Sequence, residues 1–225
     1  MTVLITRVRR AIGRHGVVGA SRAGALKLLP SSPEVAKMKW YRLDLSRERP
    51  RRDLGHGLEL RRGTVADAAG VAQLPGRRPV PAPRSESDVI KRLKSGAELW
   101  IVTESDRVAF ACWVFHRKVR FHNAVATLPL ATVLLEDSVL SPDFRGRSIP
   151  PGAWSGVADD LEARGFAVMM TKVDIANTEA VWAFRRTGFR EVADMEVERR
   201  AYRHHIRIQF TTDDQSNRWL ASLEK

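Results

Sequence analysis

The sequence predicts an α/β layer, a sheet flanked by helices, with a basic extension ahead of it. Three observations carry this. From Leu58 onward, runs of strand length alternate with segments of helical periodicity. The apolar run Thr132–Leu140 passes through a short turn directly into a helical pattern. Charge is also segregated: residues 1–57 hold 13 Lys/Arg against 4 Asp/Glu, a net +9, whereas residues 58–225 hold 25 against 22, a net +3.

The chain of 225 residues is long enough for one well-buried core and an appendage. Its single cysteine, Cys112, excludes an internal disulfide and a Cys-based zinc cluster, and predicts a reducing cytoplasm. No apolar run approaches the roughly 18 residues that span a bilayer. A secretory leader is not predicted, because Arg7, Arg9, Arg10, Arg14, Arg22 and Lys27 interrupt the first thirty residues. The oligomeric state leaves no trace in the sequence.

The elements follow in order. Residues 1–57 read as a basic arm and linker: two short amphipathic basic helices within residues 1–29, a break at Pro30–Pro33, an extended stretch Lys39–Leu45, and a charged linker Arg47–Asp53. Trp40 and Tyr41 would pack the arm on the core. No acid precedes Glu34, so the arm predicts an anionic partner or, more plainly, a solvated basic surface. Residues 58–210 form the main domain. Leu58–Arg62 alternates as a first strand; Thr64 with Asp67, and Ser85 with Asp88, mark two helix starts on either side of the Pro75–Arg84 loop. Leu99–Thr103 and Val108–Phe115 read as a hairpin, followed by a strand at Val119–Ala126 and the run Thr132–Leu140. A helix Gly152–Arg164, a buried strand Ala167–Val173, a helix Asn177–Thr187 and two closing strands, Arg190–Glu198 and Tyr202–Phe210, complete the layer. Residues 211–225 read as a polar tail with one amphipathic turn at Trp219 and Leu220.

The chemistry concentrates after Leu140. Ser141-Pro142-Asp143-Phe144-Arg145-Gly146-Arg147-Ser148-Ile149-Pro150-Pro151 is a strand-to-helix turn with two arginines and a glycine where backbone N–H groups are free, an arrangement suited to a pyrophosphate. Later comes Asn177-Thr178-Glu179-Ala180-Val181-Trp182-Ala183-Phe184-Arg185-Arg186-Thr187-Gly188-Phe189. Together, over residues 58 to 200, these segments resemble the acetyl-CoA-binding core of the GNAT N-acetyltransferase superfamily. The resemblance implies a mixed, mostly antiparallel sheet flanked by helices, and a helix-loop-helix after the first strand that gathers acceptor-binding residues. Two departures stand out. Ser148 replaces the second glycine of the phosphate loop, with Pro150 removing a further amide. Phe184 stands where many relatives carry a tyrosine that protonates the leaving thiolate.

What the resemblance implies about the site is specific. Arg145, Gly146, Arg147, Ser148, Ile149 and Pro151 hold the donor's phosphates. Val139 and Leu140 offer backbone to the thioester carbonyl and pantetheine arm. Asn177 caps its helix and faces the CoA arm, and Phe184 packs on that arm. Glu136 and Asp137 are acids inside an apolar strand, where an unpaired carboxylate is costly, and are the candidates for general base, Asp137 first. Successive strand residues point to opposite faces, so one of the two is expected to reach any given cleft. Trp113 and Phe115 would line the acceptor cleft. Ser138, Ser141 and Thr171 are the hydroxyls that could replace the missing acid. The histidines lack metal-ligand spacing, so no metal is expected.

These readings predict an acyltransferase that moves an acyl group, acetyl by default, from acetyl-CoA or another acyl-CoA to a primary amine of a small molecule by direct attack. The altered phosphate loop and basic arm leave a second donor open, an aminoacyl-tRNA or an acyl-carrier protein bound through the arm. A third reading is a binding protein on a degenerate GNAT fold without catalysis.

Overall fold

The computed structural model describes residues 34–75, 85–121, 124–200 and 203–224. The two expected basic helices, the break at residues 30–33 and residues 76–84 of the Pro/Arg-rich loop lie outside these.

Among the described residues, ten strands and four α-helices follow one another. They are β1 (Glu34–Asp44), β2 (Glu59–Arg62), α1 (Ala68–Ala72), α2 (Glu86–Lys94), β3 (Glu98–Glu104), β4 (Arg107–His116), β5 (Lys118–Phe121), β6 (Ala124–Thr127), β7 (Thr132–Leu140), α3 (Ile149–Ala163), β8 (Val168–Asp174), α4 (Thr178–Arg186), β9 (Arg190–Arg200) and β10 (Arg203–Phe210). Eight strands form one sheet in the order β10-β9-β1-β8-β7-β4-β3-β2. The β7–β8 pair is parallel and the others are antiparallel. The mixed, mostly antiparallel layer is therefore as the sequence predicts, and both expected capping boxes start their turns, at Thr64–Asp67 and Ser85–Asp88.

Three expectations change. The segment taken as arm and linker up to residue 57 supplies a central strand. β1 lies between β8 and β9, with Met38 opposite Asp174 and Met195. Its basic residues hid this role, because Lys37 and Lys39 are answered by Glu196, Glu191 and Asp194 of β9. Its linker is also pinned down: the Arg49 guanidinium, 5% exposed, reaches Asp159 at 2.5 Å and Glu162 at 2.8 Å on α3. Second, the strand expected at Val119–Ala126 is a separate small hairpin of β5 and β6. Third, the tail forms a 3-10 turn, Gln215–Leu223, that buries Leu220 and Leu223 completely.

The sheet is covered on both faces. α3 and α4 bury Trp154, Val157, Leu161 and Phe184 against Tyr41, Val133, Leu135 and Met169 on one face. On the other, α1 and α2 cover Leu99, Ile101 and Trp113, while the β5–β6 hairpin and the C-terminal turn cover Trp40, Leu134 and Met170. α3 approaches the linker so closely that a Cβ on Gly152 would stand 2.9 Å from the Asp53 carbonyl oxygen. Only glycine allows that contact.

Candidate active site

The site begins where the parallel pair stops pairing. β7 and β8 are in register from Thr132 opposite Val168 to Leu135 opposite Thr171, and then part. Glu136–Leu140 keeps β4 on one side only, while Lys172–Asp174 keeps β1. The backbone groups that β7 turns toward β8 in this stretch thus lose their ladder partners.

A bulge lies in the same stretch of β7. Ala111 faces Val139 and Trp113 faces Glu136, so one extra residue sits on the β7 side. It is Asp137, whose φ of +52° lies in the left-handed region that one class of β-bulge uses. The bulge corrects the expectation that Glu136 and Asp137 face opposite ways. Both carboxylates emerge on the α2 face, and Ser138 resumes the alternation toward α3. Glu136 pairs with Lys172 of β8. Asp137 Oδ2 accepts from the Arg92 guanidinium of α2 at 2.6 Å.

Two cations the sequence reading missed thereby enter the site. Lys172 is the one charge in the otherwise uncharged stretch Val168–Val173, and that isolation was the signal available. Its Nζ lies 4.6 Å from the Phe121 ring centroid and 5.4 Å from that of Trp40. Burial pushes its ammonium down from 10.5 to about 7, because a charge loses its hydration there. Arg92 sits on a helix face rich in charges, where nothing marked it out. Its guanidinium lies 4.9 Å from the Trp113 ring and 5.5 Å from Phe115. Trp113 is fully buried, so it forms the floor beneath Arg92 and not an open wall. Phe115 is partly buried beside it.

On the α3 face, the gap is backed by aromatic rings. Trp154 Nε1 donates to Ser138 Oγ at 3.1 Å, tying α3 to the unpaired part of β7. Phe184 stacks on Trp154 with centroids 4.1 Å apart, on Tyr41 at 5.9 Å, and edge-on to Phe189 at 5.1 Å. At 4% exposure, it is a core residue in this structure.

The turn after β7 has the anticipated form. Gly146 has φ of +80°, and a Cβ there would meet nothing within 4 Å, so the backbone is accessible. Ser148 stands at the N-cap position of α3 with φ of +52° and no side-chain capping bond, adopting under strain what a glycine adopts freely. The helix begins at Ile149, three residues before the expected start, and Pro150 and Pro151 occupy its first turn. Proline is tolerated there, but two N–H groups of the anion-binding end are missing. Arg147 is held by Glu104 at 2.8 Å, while Arg145 is exposed. Asn177 Oδ1 accepts from the Ala180 amide at 3.3 Å and caps α4.

The turn's strain sets one expected outcome. Ser148→Gly should stabilise the fold by about 0.5–1 kcal/mol, since the left-handed penalty of about 1–2 kcal/mol outweighs the extra chain entropy of glycine. Urea denaturation of the two proteins measures this, and a variant less stable than the parent would contradict it.

Cys112 is buried and its thiol is pushed up by burial, so it stays protonated and is no nucleophile. Among the described residues, no three His, Cys, Asp or Glu side chains gather to hold a metal, and no helix is long and apolar enough to cross a membrane.

No family model matches the sequence, and no curated protein matches it. Solved structures do match in fold. A GCN5-related N-acetyltransferase from Sphaerobacter thermophilus superposes with a TM-score of 0.55 at 16% identity, covering 88% of this chain and 57% of that one. A tandem GNAT protein from the clavulanic acid biosynthesis pathway gives 0.52 at 15% identity, over 80% of this chain and 57% of its own. A GNAT-family structure from Novosphingobium aromaticivorans gives 0.50 at 17%, over 80% and 66%. This chain thus spans little more than half the length of the first two.

Proposed function

With the GNAT fold as premise, we propose that the protein transfers an acyl group, acetyl by default, from an acyl-CoA to a primary amine of a small molecule. The observation that carries this reading is the gap between β7 and β8, with freed backbone on one strand and two carboxylates at its edge, above the Arg145–Ile149 turn. The turn would receive the donor's pyrophosphate on the Ser148 and Ile149 amides and the Arg145 guanidinium. The Ser141 amide donates to Ala109 of β4, so by strand alternation the Leu140 N–H faces the gap and would be offered to the thioester carbonyl, whose oxygen gains charge as the amine attacks.

Of the two acids, Glu136 suits the role of base better than Asp137. Asp137 is engaged by the Arg92 guanidinium at 2.6 Å, a cation that never deprotonates. Glu136 answers a lysine that can lose its proton. The amine nitrogen attacks the carbonyl carbon, Glu136 takes the amine proton, and the C–S bond breaks. Phe184 has no proton for the departing thiolate. Ser138 is exposed at the gap, and because its oxygen accepts from Trp154, its own O–H remains to be donated. Phe115, Arg92 and the α1–α2 segment would border the acceptor.

Titration calorimetry with acetyl-CoA, then thiol release with a panel of amines, tests the proposal. Arg145→Ala should weaken acetyl-CoA by roughly 10- to 100-fold, the scale of a charge-assisted hydrogen bond. Unchanged affinity would remove the turn from the donor site. The missing first-turn amides favour a second reading, a donor carried on tRNA or on an acyl-carrier protein. The same assay run with those donors separates the readings. If none of the donors reacts or binds, the non-catalytic reading stands in their place.

A further inference from the structure

We propose that Lys172 is an acyl acceptor within the chain itself, taking the acyl group from a bound thioester onto its Nζ to form an internal amide. The inference rests on the acyl-CoA reading of the gap and adds a covalent modification site to it.

The position of Lys172 is the first argument. Thr171 is the last β8 residue paired with β7, so Lys172 is the first residue beyond the fork. Its side chain emerges on the face that carries Glu136 and Asp137, the face from which an acceptor amine would approach. The contact with Glu136 places Nζ one residue from the Asp137 bulge. An acceptor amine bound for reaction needs that neighbourhood: a carboxylate to take its proton, and the freed β7 backbone beside it.

The second argument concerns why such a pair is there. A half-buried ion pair contributes little net stability, because the desolvation of both ions offsets their attraction. The Lys172 and Glu136 side chains are 12% and 18% exposed. The rings of Trp40 and Phe121 hold the lysine stem in one direction, which restricts the amine to a narrow set of positions. Orientation of this kind is what converts a slow bimolecular acylation into a fast one. Burial also favours the neutral amine, the form with a lone pair to attack.

The step balances without further reactants. The ammonium first gives one proton to solvent; the neutral nitrogen then attacks the thioester carbonyl, Glu136 takes a second proton from Nζ, the C–S bond breaks, and CoA leaves as a thiol with the proton that Glu136 passes on. The product is an N-acyl-lysine, uncharged, and Glu136 is left with no cation. The protein then holds a free carboxylate at the fork, available to an external amine.

The test uses the full chain, acetyl-CoA and peptide mapping by mass spectrometry over time, with acetyl-CoA binding measured on the same sample. Chemical acetylation favours accessible lysines, and Lys37 and Lys91 provide that reference with side chains 58% and 77% exposed. The expected result is one acetyl group on Lys172, gained faster than on Lys37 or Lys91, at a rate that saturates with acetyl-CoA. Unfolding in urea should abolish the preference. Lys172→Arg should lack the modification while Lys37 and Lys91 keep theirs, and Lys172→Met serves the same purpose if the arginine variant does not fold. Acetyl-CoA binding with Lys172 unmodified, or modified no faster than the two reference lysines, overturns the internal acceptor alone. Absence of acetyl-CoA binding overturns the donor site and the internal acceptor together.

Discussion

Glu136→Gln is expected to lower turnover by about 10²–10⁴-fold, the usual contribution of a positioned base, with acetyl-CoA affinity unchanged. The glutamine keeps the shape of the side chain and loses the lone pair that takes the amine proton. It also leaves Lys172 without its carboxylate, but a lysine already pushed toward its neutral form can shed its proton, so the fold should survive. Asp137→Asn should behave differently, raising the KM for the amine more than it lowers kcat, because its present contact is with Arg92 and it acts through that guanidinium. Steady-state kinetics with donor affinity measured separately distinguish the two. Wild-type turnover in Glu136→Gln would take the base away from this position, and a kcat collapse confined to Asp137→Asn would transfer it to the bulge.

The second large effect is on stability. Phe184→Ala should cost about 3–5 kcal/mol, the range for emptying a fully packed aromatic site. The ring is the common contact of Trp154 on α3, Tyr41 on β1 and Phe189 beyond α4. Its loss opens a cavity that none of these rigid rings can fill. Urea denaturation gives the number, and a loss below about 1 kcal/mol would show that the cluster collapses around the gap. Trp154→Phe is the milder companion: it keeps a ring on Phe184 but removes the hydrogen bond to Ser138.

Most of the layer was legible because each element carried its own local signal. Ser85 and Asp88 announced α2, the two apolar runs Leu99–Thr103 and Val108–Phe115 around a polar turn gave β3 and β4, and Gly146 marked the turn before α3. What stayed hidden depends on distant partners. The lysines of β1 look like an exposed arm until the acids of β9 are set beside them. The bulge at Asp137 has no local mark, since aspartate reaches positive φ without the glycine that would have flagged it. That single extra residue decided whether Glu136 and Asp137 share a face, and the period-two rule gave the wrong answer because it assumes an unbroken ladder. The turn before α3 was recognised from its arginines and glycine. Arg92 was not, because its contact with the bulge cannot be inferred before the bulge is known, and Lys172 was passed over although its isolation in an apolar strand marked it.

The place of β1 in the sheet has a consequence for how the chain comes to be folded at all. Its neighbours are β8 and β9, so Met38 awaits Asp174 and Glu34 awaits Arg199. During synthesis, β1 leaves the ribosome long before the strands that flank it. Until β8 emerges, β1 has no strand to pair with, and Trp40 and Tyr41 have no interior to enter. Pairings this distant close slowly, since the entropy of a long loop must be spent before any contact returns it. The newborn protein therefore passes through an interval of exposed strand and apolar surface, the state in which chains stick to one another and chaperones act. Translation speed and chaperone supply, more than the final stability of the sheet, would then govern how much active protein a cell obtains.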